Sequence, residues 1–138
     1  MSQDDLPVAE FGAPGPMRDE LVGAILSGDK TTTSSLMQQH AAAGEALPQV
    51  GARWLLVDSE GRGVGVIETE AVDIVALGEV TLRHAVDEGE GFTTVTQWRE
   101  AHESYWRSDQ VTEEIGRPAR LDDDTPVVLE RLRLVRRL

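Results

Sequence analysis

The chain contains no cysteine, which excludes disulfides, thiolate metal sites and thiol nucleophiles. No apolar run approaches the ~20 residues a membrane-spanning helix needs. The first residues, Met1 to Asp5, lack the basic-then-apolar pattern of a secretory signal. A cytoplasmic protein with no membrane partner is expected. Positive charge is also scarce, since 13 basic residues face 25 acidic ones for a net charge of −12. Affinity for a long polyanion comes mostly from neutralised phosphates, so long duplex nucleic acid is a poor partner. A small or locally engaged ligand escapes that objection. Lysine is scarcest of all, and Lys30 is the only one in the chain. A lysine can lose its proton when desolvated and then act as a base, which an arginine cannot.

What is present fits one domain. A length of 138 residues with 40% hydrophobic content can bury a core without staples. Residues 1–14 mix acids, glycine and proline without periodicity and read as a flexible arm, leaving 15–138 as the domain. Gly15 and Pro16 then open a helix that Gly28 stops. Met17, Leu21, Ala24 and Ile25 give it one buried face. Behind it lies the unusual stretch Lys30-Thr31-Thr32-Thr33-Ser34-Ser35. The hydroxyl run is expected to open a second helix reaching about Ala43. Its first amides would either be capped by Ser and Thr or hold a phosphate or a polarised carbonyl.

Pro48 and Gly51 mark the turn into a β-rich part. Arg53 to Val57 reads as a strand, 58–63 as a hairpin loop, and Val64 to Leu77 as a long return strand with a bulge near Glu68 to Ala71. Glu68 and Glu70, two residues apart, suit either a metal and acid–base chemistry or a solvated face. Thr81 to Val86 reads as a helical turn leading into Glu88-Gly89-Glu90-Gly91, where two glycines let the backbone turn tightly around two carboxylates. A capped helix follows from Val95 to about Arg107, with Trp98, His102 and Tyr105 on one face. His102 is either a hydrogen-bonded core residue or a catalytic one. Residues 108–124 read as a polar surface excursion, and Pro126 to Val135 as a final strand that presents Arg131 and Arg133 on one face.

These segments resemble the ASCH domain family, whose fold is the PUA-like β-barrel. The likeness rests on Gly28-Asp29-Lys30-Thr31-Thr32-Thr33, on Glu88-Gly89-Glu90-Gly91 and on Trp98-Arg99-Glu100-Ala101-His102, in that order with a strand pair between. It implies an α+β fold, a PUA-like mixed β-barrel flanked by α-helices. It also implies association with RNA, by binding or in some members by ribonuclease activity. A smaller branch hydrolyses the acetyl amide of N4-acetylcytidine with a lysine, a threonine and a glutamate. By motif these fall on Lys30 as base, Thr33 as nucleophile and Glu88 as partner. Thr31, Ser34, Trp54, Glu70, Glu90, Trp98 and His102 are the expected ligand contacts, with Trp54, Trp98 and Trp106 available for stacking a base. The ligand would be a small nucleoside or nucleotide, or a short single-stranded RNA. No cofactor is expected, and a divalent cation enters only in the ribonuclease alternative, through Glu68, Glu70, Glu88 and Glu90. A non-catalytic binding module is the third reading.

Overall fold

The structure, a computed structural model, describes residues 5–138. Its elements in chain order are β1 (Val8–Ala9), α1 (Pro16–Ser27), β2 (Thr32–Leu36), α2 (Met37–Ala43), β3 (Arg53–Val57), β4 (Gly63–Ala76), α3 (Leu82–Asp87), α4 (Val95–Trp106), α5 (Asp109–Ile115) and β5 (Pro126–Arg137). The strands form one mixed sheet in the order β1-β3-β4-β5-β2, so β1 and β2 are its edges. The expected α+β class is observed, and the hydrogen bonding leaves the sheet open. No helix among the described residues is long and apolar enough to cross a membrane.

Two packed clusters flank the sheet. Val22 and Ile25 of α1 bury Leu56, Ile67 and Leu132. Trp98 and Trp106 of α4 pack with Ala85, Val111, Leu36 and Val127 and so tie the later helices to β2 and β5. Each such side chain contributes roughly 1.5–3 kcal/mol through burial. The long hairpin of β3 and β4, its loop and its bulge follow the sequence reading. The β4–β5 register skips Glu70, passing from Thr69 opposite Leu132 to Ala71 opposite Arg131.

Four expectations need correction. The hydroxyl run is the edge strand β2, paired antiparallel with β5, and the helix begins only at Met37. Consecutive β-branched threonines favour extended backbone, and β5 offers a free edge. The amides therefore do not converge at a helix start, and the expected anion cradle is not formed. The buried face of α1 is Arg18, Val22 and Ile25, with Met17 48% exposed. Arg18 is buried because its guanidinium donates to the carbonyls of Phe11 and Gly12. The arm is ordered from Pro7, whose carbonyl accepts from Leu55 N, while Val8–Ala9 runs parallel to β3 and satisfies that strand's edge. Met1–Asp4, the rest of that arm's beginning, lie outside the described residues. The polar excursion contains helix α5, capped by Ser108 and anchored by the fully buried Val111.

Helix α3 is fastened onto the start of β2. Thr31 N donates to Asp87 O at 2.8 Å, and Thr32 Oγ1 donates to His84 O at 2.9 Å. Gly89 sits at a φ of 72°, where a Cβ would lie 2.5 Å from Asp29 O and 2.8 Å from Lys30 N. Gly91 has a similar φ of 87° with open space around it. Gly91→Ala should cost about 1 kcal/mol for backbone conformation alone. Gly89→Ala should cost a further ~1–3 kcal/mol, because backbone must move. Equal losses in urea unfolding would show that the loop does not press on Lys30.

Candidate functional site

One carboxylate gathers the site. Glu88, at the C-terminus of α3, is 1% exposed. Its Oε2 accepts from Ser34 Oγ at 2.6 Å and from Trp98 Nε1 at 2.6 Å. Its Oε1 lies 3.0 Å from His102 Nε2 and 3.7 Å from Lys30 Nζ. Lys30 is itself buried, and its ammonium donates to Thr32 O at 2.8 Å and Glu88 O at 3.4 Å. Moving a carboxylate out of water costs several kcal/mol, so an ionised Glu88 requires this ring of donors.

The proton positions follow from the partners. Ser34 has one proton, which goes to Glu88, so His84 Nε2 at 2.7 Å from Ser34 Oγ must be a donor. Nε2 of His84 is also 3.3 Å from Glu88 Oε2. Serine and glutamate thus meet the same ring nitrogen, and the trio is not a nucleophile–base–acid relay. His102 Nδ1 lies 2.8 Å from Trp98 O, while Nε2 faces Glu88. Both partners only accept, so His102 is an imidazolium. Its ring stacks on Trp98 with centroids 4.4 Å apart.

The acidities agree. Burial alone would push the Glu88 carboxyl up, but hydrogen bonds from His102 and His84, with the charges of His102 and Lys30, hold it far below the usual carboxylate range. Burial would push His102 down, and the Glu88 hydrogen bond and charge instead raise it. Glu90 is raised, by burial first and then by the Glu88 charge, against the pull of Lys30. Glu88, Glu90 and His102 lie close enough for their oxygens and nitrogen to be within 4.8 Å of one another. A cation there would have to displace the His102–Glu88 hydrogen bond.

Beside this cluster opens a cleft of about 400 Å³ whose lining includes Lys30, Thr33, Ser35, Trp54, Glu88, Glu90, His102 and Glu130. Alternation along β2 divides the hydroxyl run. Thr32 and Ser34 are held by His84 and Glu88. Thr33 lies opposite Glu130, and its hydroxyl makes no hydrogen bond among the described residues. Ser35 Oγ lies 2.8 Å from His40 Nε2, and Nδ1 of His40 is buried without a partner among the described residues.

Of the residues singled out in the sequence, Lys30, Thr33, Ser34, Trp54, Glu88, Glu90 and His102 all line the cleft. Thr31 does not, since its hydroxyl turns to Asp87 O. Trp98 is 0% exposed, so it positions Glu88 and offers no face to a ligand. Glu70 is exposed at the bulge, and Glu68 is held by Arg53 and Arg133. The four carboxylates of the ribonuclease alternative therefore do not come together. Sequence reasoning missed His84, His40 and Glu130. Glu130 was legible as an acid within an apolar strand, but the neighbouring arginines drew the reading.

Glu88→Gln leaves buried cations without their counter-charge and should destabilise the fold by about 3–5 kcal/mol in urea unfolding. The pH dependence has a definite sign. Depressed Glu88 stabilises fully above its ordinary 4.5 and loses this as pH falls; raised His102 stabilises fully below its ordinary 6.5 and loses this as pH rises through its folded value. The thermal midpoint should fall as pH rises above 6.5, and His102→Gln should flatten that fall. Identical pH profiles for the two proteins would contradict the imidazolium.

A family model described as ASCH domain matches residues 8–136. The structure is similar to an ASCH domain crystal structure from Lactobacillus crispatus JV V101, at 28% identity and a TM-score of 0.81, covering 94% of this chain and 79% of that one. Protein EF3133 from Enterococcus faecalis V583 shares the fold at 23% identity and a TM-score of 0.81, with 95% and 77% covered. An ASCH structure from Zymomonas mobilis is more distant, at 17% identity and a TM-score of 0.52, with 87% and 67% covered. No curated protein matches the chain. With that match spanning nearly the whole chain, the chain belongs to the ASCH domain family.

Proposed function

We propose that the cleft binds a modified nucleoside, free or at the end of a short single-stranded RNA, and hydrolyses an amide on its base. One observation carries the reading: Lys30, Thr33 and Glu88 line the same cleft, with the Thr33 hydroxyl unengaged. The association of ASCH domains with RNA supports the ligand class. The lining supports its size and charge, because Glu10, Glu45, Glu88, Glu90 and Glu130 outnumber the two cations Lys30 and His102. A carboxylate-rich wall repels a phosphate chain and tolerates an uncharged base.

In this scheme Lys30, in its neutral form, takes the Thr33 hydroxyl proton as the oxygen attacks the amide carbon and passes it to the departing nitrogen. The acyl group stays on Thr33 as an ester, which water then cleaves to the free acid, restoring the hydroxyl. Glu88 aligns Lys30 through the ion pair at 3.7 Å. Its donors hold it ionised, so it serves to position and does not supply the proton.

Incubation with N4-acetylcytidine, followed by chromatography for cytidine, tests this reading. Thr33→Val should abolish release while leaving nucleoside binding intact, and Lys30→Gln should lower kcat by about 10²–10⁴-fold. Binding without release by the wild type would leave a binding module. Neither binding nor release across nucleosides and short oligonucleotides would remove the proposal.

A further inference from the structure

The cleft has a second polar wall, remote in sequence from the lysine motif. The strand registers place Trp54 opposite Ile67, Thr69 opposite Leu132, and Glu130 opposite Thr33. Opposed residues share a face, and residues two apart on a strand do as well. Trp54, Thr69, Glu130 and Thr33 therefore stand on one face of the sheet. Trp54 Nε1 donates to Thr69 Oγ1 at 3.1 Å, and Thr69 Oγ1 lies 3.2 Å from Glu130 Oε2. Indole can only donate, so the threonine accepts from it and gives its own proton to the glutamate. This relay fixes the tryptophan plane and the carboxyl group relative to each other.

Glu130 is only partly satisfied. Among the described residues its Oε1 takes no hydrogen bond, and no basic side chain pairs with it. Burial makes its carboxyl a weaker acid than usual, pushing its pKa up against the Thr69 hydrogen bond. A largely buried carboxyl with no counter-charge is costly, and such groups concentrate where a ligand completes their hydrogen bonding.

We propose that Trp54, Thr69 and Glu130 form a base-reading subsite that selects a nucleobase carrying an exocyclic N–H over one presenting only carbonyls. The inference rests on the nucleoside reading of the cleft and adds a specificity element to it. The Trp54 ring supplies a flat face. The ionised Glu130 carboxylate accepts from the exocyclic N–H with one oxygen and, in guanine, from the ring N–H with the other. Uracil offers one N–H between two carbonyl oxygens, so an ionised carboxylate facing it gains one hydrogen bond and sets its other oxygen against a carbonyl. A site with a buried acceptor rejects a ligand that leaves it unpaired.

Calorimetric titration with cytidine, adenosine, guanosine and uridine tests the subsite without requiring turnover. The wild type should bind at least one amino-bearing nucleoside about tenfold or more tighter than uridine. Glu130→Met should bring that ratio close to one, while Glu130→Gln, which keeps an acceptor, should retain it. Thr69→Val keeps the carboxyl but removes the relay, and should lower the ratio without removing binding. It also serves if Glu130→Met does not fold. Uridine binding as well as the others, or an unchanged ratio in Glu130→Met or Thr69→Val, overturns the subsite and leaves the nucleoside cleft standing. Failure of the wild type to bind any nucleoside overturns both.

Discussion

The structure depends on an ionised carboxylate in a place without water. Glu88 is 1% exposed, and an anion there is tolerable only with donors on all sides. Those donors come from β2, α3, α4 and the turn carrying Lys30. One group thus fixes four segments at once. The same requirement explains the glycine that follows it, since only Gly89 lets the loop press against Asp29 and Lys30. It also accounts for a buried lysine and a doubly protonated histidine, each of which would be costly alone.

The cleft inherits two different walls. One is the charged cluster around Glu88, rigid because every member is held by another. The other is the sheet face with Trp54, Thr69 and Glu130, where a carboxyl lacks a cationic partner among the described residues. Thr33 lies between them, directly opposite Glu130 and on the strand that also carries Ser34 to Glu88. Alternation in β2 makes this possible, because successive hydroxyls point to opposite sides.

Much of this was legible in the sequence. Gly15, Pro16 and Gly28 bounded α1, Thr94 capped α4, and the β4 bulge fell where the hydrophobic alternation changed. Lys30, Thr33, Glu88 and His102, singled out in the sequence, line one cleft. The misreadings have local causes. Thr31 to Ser35 fit helix capping as well as they fit an edge strand, and only the presence of β5 decides between them. Trp98 looked available for stacking because its helical face was known but the depth of burial was not. Glu130 and His84 gain their meaning from cross-strand and loop contacts that no local pattern encodes.

Nitrogen NMR of the His102 side chain at neutral pH tests the central arrangement most directly. The account predicts that both ring nitrogens carry protons, because Trp98 O and the Glu88 carboxylate can only accept. A neutral ring with one bare nitrogen would contradict it, since either the carboxylate would then be protonated or its ring of donors would not exist.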